Sequence, residues 1–261
     1  MSEIDKNRID SFIIDGFNYY MRNRENRRLG IHITSIARGC SRYIYLENTQ
    51  GIDEFDMGSD LESIKAVVGT MMHNIPLSEE HETHFEYPYK FGKTTYRILG
   101  SYDELYTDEN GNKWIMDKKF TPFIKKNPPD VYVKQVKLYA MLYNKGAFED
   151  TSEHKRDKVE GAIISYINTG YGKEKFNHFI IPISEKDYKE TEEWFESIVK
   201  PAFDAFITQE IPDRTEGWSC TICPFINTCY TQEEKVNILK KYKRKKDKVE
   251  VEIVGIDKLK L

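Results

Sequence analysis

Two stretches rich in aromatic and β-branched residues, 95–106 and 113–120, flank the turn sequence Asp108-Glu109-Asn110-Gly111-Asn112, and each carries an acid on a strand-like background. The first acid is Asp103, in Leu99-Gly100-Ser101-Tyr102-Asp103-Glu104-Leu105. The second is Asp117, in Trp114-Ile115-Met116-Asp117-Lys118-Lys119. Side chains alternate faces along a strand, so antiparallel partners share a face only in one parity of register. If the turn loops out residues 109–111, Asp103 falls directly opposite Asp117. An even-length loop without a bulge would send the two carboxylates to opposite faces.

Upstream of this hairpin the period changes. Ile9, Phe12, Ile13, Phe17, Tyr20 and Met21 recur at three- and four-residue spacing and predict a helix over 6–26, ended by Gly30. Thr34 or Ser35 can cap a second helix that carries Ile36, Cys40, Tyr43 and Ile44. A third, over 60–74, shows Leu61, Ile64, Val67, Val68, Met71 and Met72 with His73 at its end, before Pro76. Residues 85–89 read as a further strand. Downstream, Asp130 can cap a helix over 131–144 that Gly146 ends, with Gln135 and Tyr139 one turn apart on one face. Residues 161–167 and 175–183 read as strands, and 185–209 as a long amphipathic helix kinked or broken at Pro201.

Length allows one core with additions: 1–261 is read as a single domain, with a helical region over 1–75, a core over 84–210 and a cysteine-rich segment with a basic tail over 211–261. No apolar run approaches the ~18 residues of a spanning helix, and the charged start, Met1 to Asp10, lacks the apolar centre of a signal peptide. The expectation is a cytoplasmic protein with no membrane partner. A net charge of -4 argues against nucleic-acid binding by bulk electrostatics. Local basic clusters remain, at Arg22, Arg24, Arg27 and Arg28, at Lys125 and Lys126, and between Lys240 and Lys248.

Two carboxylates on neighbouring strands with a lysine beside them supply what a divalent metal and a phosphodiester require. Asp103 and Asp117 offer hard oxygens to Mg2+ or Mn2+, and an imidazole from His73 suits manganese in particular. Lys119 stands two residues after Asp117, hence on the same side of the strand, where its ammonium can orient an attacking water or offset charge on the phosphate. Gln135 and Tyr139 add a hydrogen-bonding edge at the pocket wall. Together these residues read as a metal-dependent nuclease. The competing reading is a catalytically silent DNA-binding subunit.

Three of the four cysteines crowd into Cys220-Thr221-Ile222-Cys223-Pro224-Phe225-Ile226-Asn227-Thr228-Cys229, and Cys40 stands far upstream. Disulfides are not expected in a reducing compartment, so a bound metal explains the crowding better. Four thiolates can hold zinc or a 4Fe-4S cluster, and spacing does not decide between them. A variant in which Cys220, Cys223 and Cys229 bind zinc with His32 stays open.

With both constellations in view, the sequence resembles the RecB-like branch of the PD-(D/E)XK nucleases, and within it the CRISPR-associated iron-sulfur exonucleases, the fourth member in the Cas naming scheme. Ile33-Thr34-Ser35-Ile36-Ala37-Arg38-Gly39-Cys40, Gly69-Thr70-Met71-Met72-His73, Gly100-Ser101-Tyr102-Asp103, Asp117-Lys118-Lys119, Gln135 to Tyr139 and Cys220/Cys223/Cys229 carry the resemblance, in family order. It implies an α/β fold with a mixed sheet flanked by helices, and a 4Fe-4S cluster on Cys40, Cys220, Cys223 and Cys229. It also implies magnesium- or manganese-dependent cleavage of single-stranded DNA, often from a 5′ end, in company with the CRISPR integrase complex. By the family pattern His73, Asp103, Asp117 and the carbonyl of Lys118 are metal ligands, Lys119 is catalytic, and Gln135 and Tyr139 position the DNA. Relatives also serve viruses and repair helicases, and many carry glutamate where this chain has Asp117.

Overall fold

The computed structural model describes residues 30–51, 81–122, 124–146, 158–170 and 173–243. The helices expected over 6–26 and 60–74, His73 with the second of them, the N-terminal arginines and the end of the basic tail lie outside the described residues. In chain order the elements are β1 (Ile31–His32), α1 (Ile33–Ile36), α2 (Ser41–Thr49), β2 (His81–Phe91), β3 (Thr94–Thr107), β4 (Lys113–Thr121), α3 (Asp130–Asn144), β5 (Val159–Asn168), β6 (Phe176–Pro182) and α4 (Glu185–Thr208). A 3-10 turn (Trp218–Ile222), α5 (Ile226–Cys229) and α6 (Gln232–Lys243) follow.

The hairpin turn is built by Asp108. Its amide donates to the Asn112 carbonyl at 2.9 Å, its carbonyl accepts from Gly111, and its carboxylate takes the amides of Asn110 and Asn112. Residues 109–111 are therefore looped out, with Gly111 in the left-handed region at φ 82°. The ladder runs from Thr107 opposite Lys113 to Glu104 opposite Met116, and its next step in register is Asp103 opposite Asp117.

The resulting six-stranded sheet is mixed. β2 and β4 pair antiparallel with β3, β1 pairs parallel with it, β5 runs parallel to β4, and β6 closes the edge antiparallel to β5. The parallel β4–β5 pair requires a crossover, and α3 provides it. The core lies between one face of the sheet and α3 and α4: Val136 and Leu138 of α3, Val199 and Phe203 of α4, and Ile98, Ile115 and Ile164 of the strands have no exposed surface. Phe203 stacks on Tyr96 with ring centroids 4.0 Å apart.

Three local expectations are corrected. The single helix expected through Ile36, Cys40 and Ile44 is two, because Gly39, at φ 72°, turns the chain after α1 and leaves Cys40 extended as the N-cap of α2. Asp130 does not cap α3; Pro129 holds the N-cap position, and Asp130, already helical, pairs with Lys134 at 2.6 Å. Helix α4 runs unbroken through Pro201. The missing hydrogen bond and ring clash cost about 3 kcal/mol in a free helix, but Ile198, Val199, Ala202 and Phe203 on either side of the proline are buried and keep the helix from breaking there.

Candidate active site

β2 occupies one edge of β3, so β1 and β4 share the other: β1 at Ile98 and Leu99, β4 from Glu104 onward. Asp103 falls in the gap between them. Its Oδ2 accepts the Lys118 backbone N–H at 2.5 Å, a side chain taking the donor just past the last rung of the ladder. Asp117, next to that amide, is 4% exposed, and Lys119 Nζ lies 2.8 Å from its Oδ2. Burial alone would pull the Lys119 ammonium down, but Asp117, helped by Tyr132 and Asp103, holds it above the ordinary lysine range. Lys119 therefore stays cationic at neutral pH.

Gln135 and Tyr139 close the pocket from α3. Gln135 Nε2 donates to Tyr139 Oη at 2.8 Å, and both residues are buried. Burial raises the Tyr139 hydroxyl far above the usual phenol range, the negative charges of Asp117 and Asp103 raise it further, and Gln135 opposes them. Its oxygen accepts from Gln135, so its proton is left to donate. Gly100 makes room for this arrangement. A Cβ there would lie 2.4 Å from the Phe85 ring and 3.1 Å from Tyr139, whose rings meet edge to face at 5.9 Å.

Five of the residues singled out from sequence thus meet: Asp103, Asp117, Lys119, Gln135 and Tyr139. Lys118 contributes its amide to Asp103 and sends its own side chain to Glu104, 2.9 Å away, both nearly unexposed. Sequence reasoning missed that pair, since Glu104 resembles any surface acid on paper. It also missed Tyr132, whose ring receives Lys119 Nζ at 4.8 Å and Lys125 Nζ at 5.6 Å.

The cysteines form a second locus. Cys40, Cys223 and Cys229 pack against a small cluster of Tyr43, Leu46 and Phe225, and the Cys229 thiol feels both Cys40 and Cys220. Burial pushes the Cys223 thiol up to about 11, with Arg38 pulling the other way; Arg42 does the same for Cys229. The four side chains thus share one neighbourhood, although among the described residues no three His, Cys, Asp or Glu side chains stand close enough to hold a single ion. His32, the alternative zinc ligand, sits in β1 opposite Leu99.

A sequence model of the PD-(D/E)XK nuclease superfamily matches residues 61–230. The chain belongs to the PD-(D/E)XK nuclease superfamily. The matched span of this PD-(D/E)XK nuclease holds both carboxylates, Lys119, Gln135, Tyr139 and the three C-terminal cysteines; Cys40 lies before it. Among solved structures, the crystal structure of SSO0001 superposes with a TM-score of 0.52 over 85% of this chain and 96% of that one, at 18% identity. At that identity the likeness speaks for the fold. No protein of curated function matches in sequence.

Nucleases of this superfamily use magnesium or manganese and act on nucleic acid. The donor chemistry here fits such an ion, since the carboxylates of Asp103 and Asp117 offer hard oxygens on adjoining strands where the ladder ends. No helix among the described residues is long and apolar enough to cross a membrane.

Proposed function

We propose that this nuclease is a metal-dependent exonuclease on single-stranded DNA, with Asp103 and Asp117, joined by His73 and the Lys118 carbonyl, holding Mg2+ or Mn2+. The observation that carries this reading is the convergence of both carboxylates on Lys119 and Tyr139. A bound divalent ion supplies a hydroxide near neutral pH and polarises the phosphate. Lys119 offsets the negative charge that builds on the phosphate oxygens as water attacks phosphorus and the P–O bond to the leaving nucleotide breaks. Tyr139, kept protonated by its burial and oriented by Gln135, offers a hydrogen bond at the pocket wall. Cys40, Cys220, Cys223 and Cys229 suit a four-thiolate group by donor type and shared neighbourhood, and the resemblance to the CRISPR-associated iron-sulfur exonucleases implies a 4Fe-4S cluster rather than zinc. The same resemblance implies trimming of DNA ends, from the 5′ side, for the CRISPR integrase complex.

The test is digestion of end-labelled single-stranded DNA with manganese. Wild type is expected to release nucleotides from one end, and Asp117→Ala to be slower by at least about 100-fold. Equal digestion by the two proteins would show that the assigned site is wrong. Salt-sensitive binding without products in either would favour the silent DNA-binding subunit.

A further inference from the structure

Tyr166 is the largest fully buried side chain among the described residues, at 1% exposure, and its hydroxyl has no hydrogen-bond partner among them. The sheet puts this phenol beside the carboxylates. β4 and β5 are in parallel register with Asp117 opposite Ile164 and Lys119 opposite Tyr166, so Tyr166 lies on the same face as both site residues. Phe179 holds the ring edge to face at 5.8 Å, Lys125 Nζ stands 6.0 Å from its centroid, and Tyr132 and Asp117 are its other polar neighbours. Lys119, paired with Asp117, and Lys125 both reach the Tyr132 ring, so two ammonium groups line this corner of the pocket.

Leaving a hydroxyl unsatisfied in the interior costs about 1–3 kcal/mol, and phenylalanine would fill the same space without that cost. A partner that arrives with the substrate resolves the discrepancy. With Lys119 opposite it in the ladder and Lys125 near its ring, that partner is an anionic oxygen. We propose that Tyr166 Oη donates a hydrogen bond to a nonbridging oxygen of the scissile phosphate, which makes it a catalytic residue of the nuclease; the assignment rests on the active site proposed above. Charge on that oxygen grows as water adds to phosphorus, so the bond tightens in the transition state and acts on kcat more than on KM.

Tyr166→Phe removes the hydroxyl and keeps the ring. With end-labelled single-stranded DNA and manganese, kcat should fall roughly 10- to 100-fold with KM within about twofold, while Tm stays level or rises. Replacing the nonbridging oxygen by sulfur, a poorer acceptor, should slow wild type more than Tyr166→Phe. Tyr166→Phe at wild-type rate with Asp117→Ala inactive would overturn this assignment and leave the nuclease reading intact. Asp117→Ala as active as wild type would instead overturn the active site and this assignment with it. A fall in Tm alongside the lost rate would put the hydroxyl in a structural role and also refute the proposal.

Discussion

Glu104 and Lys118 each follow one of the two aspartates in sequence, and the strand pleat turns them to the opposite face of the sheet. There they form an ion pair at 2.9 Å with side chains 3% and 1% exposed. Such a pair contributes little net stability, because desolvation offsets the attraction, but removing one partner strands the other. Glu104→Ala is therefore expected to cost about 3–5 kcal/mol in urea unfolding and to lower cleavage through misplaced carboxylates, with Glu104 a positioning residue. A Glu104→Gln protein should recover part of the rate, which a simple loss of folded protein would not explain. At this scale the sequence was readable where chemistry and period coincide. Asp103, Asp117 and Lys119 were legible from a two-residue pleat and a turn. Glu104 and Tyr166 were not, because their meaning lies in burial and in a neighbour from another strand.

Helix α4 is anchored at its start by Ser184, whose hydroxyl accepts the Asp187 amide at 3.1 Å while the Asp187 carboxylate accepts the Ser184 amide at 3.2 Å. The same carboxylate takes Lys137 Nζ of α3 at 2.7 Å, so one aspartate caps one helix and ties it to the next. Burial works to raise its pKa, but Lys137 and Ser184 prevail and leave it below the ordinary 3.8. A carboxyl lowered on folding contributes its full stability above its unfolded value and loses it as pH falls through the folded one. Asp187→Ala should thus be less stable than wild type by about 1 kcal/mol, modest because the side chain is 31% exposed. In denaturant titrations at stepped pH, the gap should hold near neutrality and close below the ordinary aspartate range. The helix and strand boundaries were largely foreseeable from period and turn residues. The turn at Gly39 and the unbroken passage through Pro201 were not, since packing against β3 decides the second and a single left-handed residue the first.

Across the whole molecule, the N-terminal elements are bound to the C-terminal ones. Ser41 Oγ donates to the Ile198 carbonyl at 2.8 Å, Arg42 Nε to the Pro212 carbonyl at 2.6 Å, and Ser219 Oγ to the Arg38 carbonyl at 3.3 Å. A cluster on the four cysteines would fasten the same two regions. Cys220→Ala is expected to lower Tm and iron content together in anaerobically prepared protein; full stability without iron would contradict the clasp, and a colourless zinc-loaded sample would contradict the choice of metal. These contacts also order events in time. The bond between Asp103 and Lys118 spans 15 residues, whereas that between Ser219 and Arg38 spans 181. Short loops close at little entropic cost and long ones late. A nascent chain can therefore set its paired acids in place before Ser219 has been made, and Ser219 can reach Arg38 only after its own segment has left the ribosome.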